Sequence, residues 1–265
     1  MNHDASTADR IRIVLVGTQH PGNIGSAARA LKTMGLARLV LVAPQRYPHN
    51  EADMMAAGAD DVLASATCTD TLADAVADCR LVLGCTARSR RVQLQELHPR
   101  TAASRACETA LAGGEVAVVF GRERTGLENE ELQLCHAAVH IPANPDYSSL
   151  NLAAAVQVLS YELRVALLAD GVTGMVEGQA AEGQARGAGH APDRPASHAQ
   201  MEGLFGQLAQ TLDDIDFHKG RAPASAMRKL RRLFLRSELG EREVRLLRGI
   251  LADAQRMARL AAGRH

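Results

Sequence analysis

The sequence predicts an α/β fold: a mostly parallel sheet with helices on both faces, followed by a small α-helical C-terminal module. Three observations predict it. Short apolar runs alternate with helical patterns from Ile11 to Ala169. The runs are continuously apolar, as strands buried on both faces are, instead of alternating with polar residues. A stretch rich in Gly and Ala, 170–198, then separates this region from a basic helical one.

The elements follow in order. Residues 1–10 are polar and read as a loose start. Ile11–Val16, Leu39–Val42, Leu81–Leu83, Val116–Phe120 and Val139–Ile141 are rich in Val, Ile and Leu and read as strands. Helical patterns lie between them at 24–34, 69–77, 101–111 and 128–135, with Gly35 suited to close the first. A long helix is expected over Ser148–Ala169, where Leu152, Val156, Leu159, Leu163 and Leu167 recur at three and four. Residues 170–198 hold six glycines and two prolines, cannot build a core, and read as a flexible linker. The helical pattern returns at Met201. Met227, Leu230 and Phe234 share one helix face, Gly240 interrupts, and Val244, Leu247, Leu251, Ala254, Ala258 and Ala261 continue at three and four. The expected organisation is therefore a domain over 11–169, a linker over 170–198 and a basic helical module over 199–265.

Composition excludes several function classes. Aromatic residues are only 3 % and Trp is absent, so the core is aliphatic and no rich stacking platform for bases exists. Tyr47 and Tyr147 are the tyrosines in expected loops. Five cysteines without C-x-x-C fit a reducing compartment and argue against zinc. The histidines form no metal-ligand spacing, so no metal is expected. No signal peptide or long apolar span is evident, which predicts a cytoplasmic chain without a membrane segment. The zero net charge hides an asymmetry. Phe217–His265 carries 13 Lys and Arg against 4 Asp and Glu, a balance of +9, and the remainder carries −9. Such an appendage suits a polyanion such as a nucleic acid, or docks on the acidic part of the chain.

Three stretches at strand ends carry the candidate chemistry. The first, "VGTQHPGNIGSAARALKTMGL", has neither G-x-G-x-x-G nor the Gly-Lys-Ser/Thr of a phosphate loop. It presents Asn23, Ser26 and Arg29 near the carboxyl end of a strand, where ligands of open α/β sheets bind. Arg29 is either a ligand group or a solvated surface cation. The second, "VVFGRERTGLENEEL", sets Arg122, Glu123 and Arg124 directly after a buried strand, as a site or as a local salt-bridge cluster. The third, "IPANPDYSSLNLAAAV", has two prolines stiffening an extended loop, and Ser148, Ser149 or Asn151 placed to cap the long helix. No G-x-S-x-G occurs, so the serines are not hydrolase nucleophiles.

In combination and order these stretches resemble the SPOUT class of RNA methyltransferases, and within it the TrmJ-type tRNA 2′-O-methyltransferases. The motifs are N-x-G-x-x-x-R at Asn23, Gly25 and Arg29; F-G-x-E at Phe120–Glu123; and a Pro…Ser-Leu-Asn run from Pro142 to Ser149-Leu150-Asn151. The likeness runs from about Ile11 to Leu168; "KTMGL", "ARSR", "KLRRLF" and "LRGIL" also look like this family. The resemblance implies a C-terminal trefoil knot, which no local pattern would propose. It implies S-adenosylmethionine held by Cys85, Thr86, Ala87, Gly121, Ile141, Ser148, Ser149 and Leu150, mostly through backbone groups. It implies Arg29 as the catalytic group, positioned by Asn23, with Glu123 and Ser149 as local orienters. A guanidinium stays protonated, so Arg29 suits phosphate binding and alkoxide stabilisation better than proton abstraction. The implied partners are tRNA, methylated at a cytidine or uridine at position 32 of the anticodon loop, and a second copy in a homodimer. The alternatives are a non-catalytic RNA-binding protein of the same class, a methyltransferase of another RNA such as rRNA, and, from the sheet pattern alone, a nicotinamide oxidoreductase, which the missing G-x-G-x-x-G disfavours.

Overall fold

In a computed structural model describing residues 7–87, 94–146, 148–177, 194–219, 222–237 and 239–262, the chain forms two compact units, Met1–Gly187 and Ala188–His265. The first contains β1 (Ile11–Val16), α1 (Pro21–Thr33), β2 (Arg38–Val42), α2 (Asn50–Ala56), α3 (Asp60–Ala64), β3 (Thr67–Thr69), α4 (Leu72–Val76) and β4 (Cys79–Cys85). It continues with β5 (Gln95–Leu97), α5 (Pro99–Leu111), β6 (Glu115–Phe120), α6 (Asn129–Gln133), β7 (Ala137–Val139) and α7 (Leu152–Glu177). The strands form one sheet in the order β3-β2-β1-β6-β4-β7-β5, with every pairing parallel. The α/β class is therefore as expected.

Strand periodicity explains why both faces are covered. Ile11, Ile13 and Leu15 of β1 point to one side, into a core shared with Ile24 and Leu31 of α1, Ala102 and Ala106 of α5, and Val156, Leu159 and Leu163 of α7. Val14 and Val16 point to the other, against Leu72 and Val76 of α4 and Leu127 and Leu132 near α6. A slip of one residue in β1 would exchange these sets, so two-sided burial specifies the register.

Several boundaries differ from expectation. The strand expected over Val139–Ile141 is Ala137–Val139, because pairing with β4 and β5 ends at Val139 and leaves Ile141 in the following loop. The helix expected from Ser148 starts at Leu152. Asn151 is its cap, its Oδ1 accepting from the backbone N–H of Ala153 (2.9 Å) and Ala154 (3.4 Å), so Ser148 and Ser149 lie outside the helix. The same helix continues to Glu177, past the expected linker start at 170. An established helix carries Gly171 and Gly174 at about 1 kcal/mol each, since no new nucleus is required. At the other end of the expected linker, the Ala196 N–H donates to the Leu239 carbonyl and Ser197 caps the next helix, so these residues belong to the second unit. Residues 1–6 of the expected loose start, 178–193 of the linker, Tyr147 and most of "ARSR" lie outside the described residues. Leu152–Ala169 is long and apolar enough to cross a membrane by length and composition, contrary to the expectation of no such span. Its Leu152, Val156, Leu159, Leu163 and Leu167 are buried in the core of this unit.

A charged cluster closes the amino edge of the sheet. Glu115 accepts from Arg10 (3.3 Å), Arg12 (3.0 Å) and Arg38, while Arg12, only 6 % exposed, also makes two bonds to Asp78 (2.8 and 2.6 Å). Burial works to raise the Glu115 carboxyl, but hydrogen bonds and charge from Arg38 and Arg12 outweigh it and hold the group below its ordinary range. Asp78 is lowered for the same reason, through Arg12. A carboxylate lowered in the folded state contributes stability above its unfolded pKa, and that stability is lost as pH falls through the folded value. Glu115→Gln is therefore expected to cost about 2 kcal/mol at neutral pH and to flatten the fall of Tm below the ordinary carboxylate range, both read by thermal unfolding across pH.

The second unit contains α8 (His198–Asp214), α9 (Pro223–Arg236) and α10 (Glu241–Ala262). Ser197 and Gln200 form a capping box at the start of α8. Met201, Leu204, Phe205 and Val244 are buried, with Met227, Phe234, Leu247 and Leu251 packed on them. Phe205 and Phe234 meet at 6.4 Å, and the Arg231 guanidinium lies 4.6 Å over the Phe205 ring while paired with Glu202. α9 buries no residue fully, so its basic side chains surround a helix anchored by one apolar face.

Candidate active site

The loops after β1, β4, β6 and β7 meet at the carboxyl edge of the sheet. After β1, Gly17 takes φ +60°, a conformation that favours glycine, and the chain turns into α1 with Pro21 in its first turn. After β6, Gly121 lies against the backbone of Gly126 and Leu127: a Cβ there would sit 2.1 Å from Gly126 C and Leu127 N. The segment between folds back on itself, with Arg122 N–H on the Gly126 carbonyl (3.2 Å) and Gly126 N–H on the Arg122 carbonyl (2.8 Å).

The three charges after β6 have three different fates. Arg122 is bound to Glu131 (3.0 and 3.1 Å) and lies near Glu128 (3.5 Å), so it holds the start of α6. Glu123 reaches back to the first loop. Its carboxylate accepts from the backbone N–H of Gln19 (3.1 Å) and His20 (3.0 Å) and from Asn23 Nδ2 (3.0 Å). Burial pushes its pKa up, but these bonds outweigh burial and keep the carboxyl below its ordinary value. Arg124 is exposed. Of the two readings left open for this stretch, the salt-bridge cluster describes Arg122 alone.

Asn23 links all three motifs. Because its Nδ2 donates to Glu123, its Oδ1 is left as an acceptor, and Asn151 Nδ2 donates to it at 3.3 Å. Asn151 in turn caps α7 through its own Oδ1. The grip of Glu123 on Gln19 and His20 was the part with no sequence signal, since backbone donors carry no side-chain signature.

An open cavity of about 160 Å³ lies between these loops. Cys85, Thr86, Ala87, Gly121, Ile141, Ser148, Ser149 and Leu150 all line it. Phe120, Val139, Leu152 and Ala155, not among the expected cofactor residues, add apolar wall, and Arg124 and Thr125 stand on the tip after β6. Thr86 N–H donates to the Val139 carbonyl (3.0 Å), tying the β4 loop to β7. Burial, with Cys135 beside it, pushes the Cys85 thiol up, which favours its neutral form in the cavity wall. Asn23 is one hydrogen bond from the cavity through Glu123. Arg29 is not brought into this lining. It stands exposed on α1 with no ion pair among the described residues, and its carbonyl accepts from Thr33 Oγ1 at 2.8 Å. No group of metal-ligating side chains is found among the described residues.

Residues 10–161 match the SpoU rRNA Methylase family, and residues 199–263 match the C-terminal domain of the tRNA methyltransferase TrmJ. The chain is 48 % identical over 252 residues to a tRNA (cytidine/uridine/adenosine-2′-O-)-methyltransferase TrmJ of Pseudomonas aeruginosa, covering 95 % of this chain and 96 % of that one. It is 47 % identical over 245 residues to the tRNA (cytidine/uridine-2′-O-)-methyltransferase TrmJ of Salmonella typhimurium, covering 92 % and 96 %. Among solved structures, TrmJ from Z. mobilis ZM4 superposes with a TM-score of 0.75 at 35 % identity, over 91 % of this chain and 97 % of that one.

Proposed function

The chain belongs to the SpoU methylase family, with a TrmJ-type C-terminal domain, and on that premise we propose that it methylates a ribose 2′-hydroxyl of tRNA, using S-adenosylmethionine. The observation that carries the reading is the convergence of all eight expected cofactor residues on one cavity beside the Glu123–Asn23–Asn151 chain. We place the target at cytidine or uridine 32 of the anticodon loop. The relatives named for cytidine and uridine support the base choice, and the Pseudomonas relative's name adds adenosine.

The cavity suits the cofactor. Ile141, Leu150 and Leu152 offer apolar wall for an adenine, and Thr86, Ser148 and Ser149 offer polar groups for a ribose. Gly121 lets the tip after β6 close against its own backbone, which a side chain would prevent. When bound, S-adenosylmethionine supplies a methyl group on a sulfonium, an electrophile that asks for no metal. The chain's own task is to align the hydroxyl and to stabilise charge as it grows on oxygen. Arg29 serves that purpose, holding the neighbouring phosphate and the incipient alkoxide. Glu123 and Asn151 fix Asn23, and Asn23 fixes the start of α1, which carries Arg29. Ser149 orients groups locally at the cavity wall.

We further propose that two copies form the working enzyme. Arg29 stands outside the cavity lining of its own chain, and Tyr161, Val165 and Leu168 leave an apolar stripe exposed on α7. A second copy would cover that stripe and bring an Arg29 to each cavity. The basic module, 199–265, grips tRNA phosphates, which makes binding fall steeply with salt. The expected setting is the cytoplasm, where tRNA is matured.

The reading is tested with tRNA carrying a 2′-deoxy residue at position 32. Methyl transfer from labelled S-adenosylmethionine is expected to vanish with that substrate while tRNA binding persists. Undiminished transfer would remove position 32 from the account.

A further inference from the structure

The cavity rim carries a charge to which the reaction as described gives no task. Among the described lining residues, Arg122 and Arg124 are the guanidinium groups. Arg122 is committed to Glu131. Arg124 is exposed and makes no hydrogen bond or ion pair among the described residues.

Its backbone is nevertheless fixed. Arg124 is the middle residue of a three-residue tip closed by the paired backbone bonds of Arg122 and Gly126. On one side Glu123 is tied to the first loop by its bonds to Gln19, His20 and Asn23. On the other side Arg122 is tied to α6 through Glu131. The tip is thus a rigid pedestal that holds an unpaired guanidinium at the rim of a ligand cavity. Pre-organisation of this kind lowers the entropy lost when the group meets its partner. A guanidinium is matched by a planar oxyanion, which it binds through two parallel N–H donors.

The inference rests on the proposed function, which fills the cavity with S-adenosylmethionine. That molecule has a single anionic group, the carboxylate of its amino-acid end. We propose that Arg124 binds this carboxylate and thereby sets the cavity's preference for the intact cofactor over one without that group. The guanidinium is a binding group for the cofactor and takes no part in methyl transfer itself.

The test is calorimetric binding of S-adenosylmethionine and of decarboxylated S-adenosylmethionine to the full chain and to its Arg124→Ala variant. The wild-type chain is expected to prefer the intact cofactor about tenfold. Arg124→Ala should lose that preference by weakening the intact cofactor alone, and Arg124→Lys should restore part of it. Equal binding of the two ligands by the wild-type chain overturns the assignment. So does an equal loss of both in Arg124→Ala, which would mark a structural role. A variant with unchanged cofactor binding but weaker tRNA binding overturns it too, because the guanidinium would then serve an RNA phosphate. Failure of the wild-type chain to bind either ligand overturns the proposed function, and this inference with it.

Discussion

Arg29→Ala is expected to lower methyl transfer to tRNA by about a hundredfold or more while leaving S-adenosylmethionine affinity unchanged. The magnitude is that of removing one group aimed at charge that develops in the transition state. The separation from cofactor binding follows from position: Arg29 is not among the residues lining the cavity. Loss through unfolding is not expected. The side chain is exposed and unpaired among the described residues, and the bond from Thr33 Oγ1 goes to the Arg29 backbone, which alanine keeps. Arg29→Lys keeps the charge without the forked donors, so it should recover only part of the rate. Single-turnover transfer and calorimetry on the same preparations separate the two effects. Full activity in Arg29→Ala would end its assignment as the catalytic group.

Gly121→Ala should act in the opposite order, on the cofactor first. The added methyl would overlap Gly126 C and Leu127 N, both at 2.1 Å, and backbone atoms cannot rotate away as a side chain can. The tip after β6 must then move out, taking Glu123 from Gln19, His20 and Asn23 and shifting one wall of the cavity. Overpacking of this kind costs about 1–3 kcal/mol, so cofactor affinity is expected to drop about five- to a hundredfold, with turnover falling alongside. Calorimetry gives the affinity, and thermal unfolding shows how much of the loss is global. Unchanged affinity would mean that the tip is soft and that Gly121 does not shape the cavity.

What the sequence made legible has a physical pattern. β1, β2, β4 and β6 are central or nearly so, buried on both faces, and continuous apolar runs announce them. β3 and β5 are the two edges of the sheet. Their sequences, Thr-Cys-Thr and Gln-Glu-Leu, are short and mostly polar, as edge strands are, and no apolar run marks them. The capping residue of α7 was open among Ser148, Ser149 and Asn151, because serine and asparagine both cap. Only the folded backbone decides for Asn151, whose Oδ1 meets the N–H groups of Ala153 and Ala154.

Gly25 shows the same limit at one residue. It falls within the helix expected over 24–34 and lies inside α1, but nothing local shows that a Cβ there would meet the Ala52 carbonyl at 2.0 Å. The glycine lets α1 and α2 approach closely, and that contact partner lies in a different element. Asn23 and Glu123 were each visible in the sequence, but the bond between them was not, since it joins residues a hundred positions apart. A knot is more remote still. It is a property of how the whole chain threads, so it enters through family resemblance alone.

The most direct test of the central claim is to incubate the pure chain with labelled S-adenosylmethionine and unmodified tRNA, then digest the RNA and map the product by mass spectrometry. The account predicts a 2′-O-methylated cytidine or uridine at position 32 of the anticodon loop. A methyl group on a base, or no product while the cofactor is demonstrably bound, would contradict it.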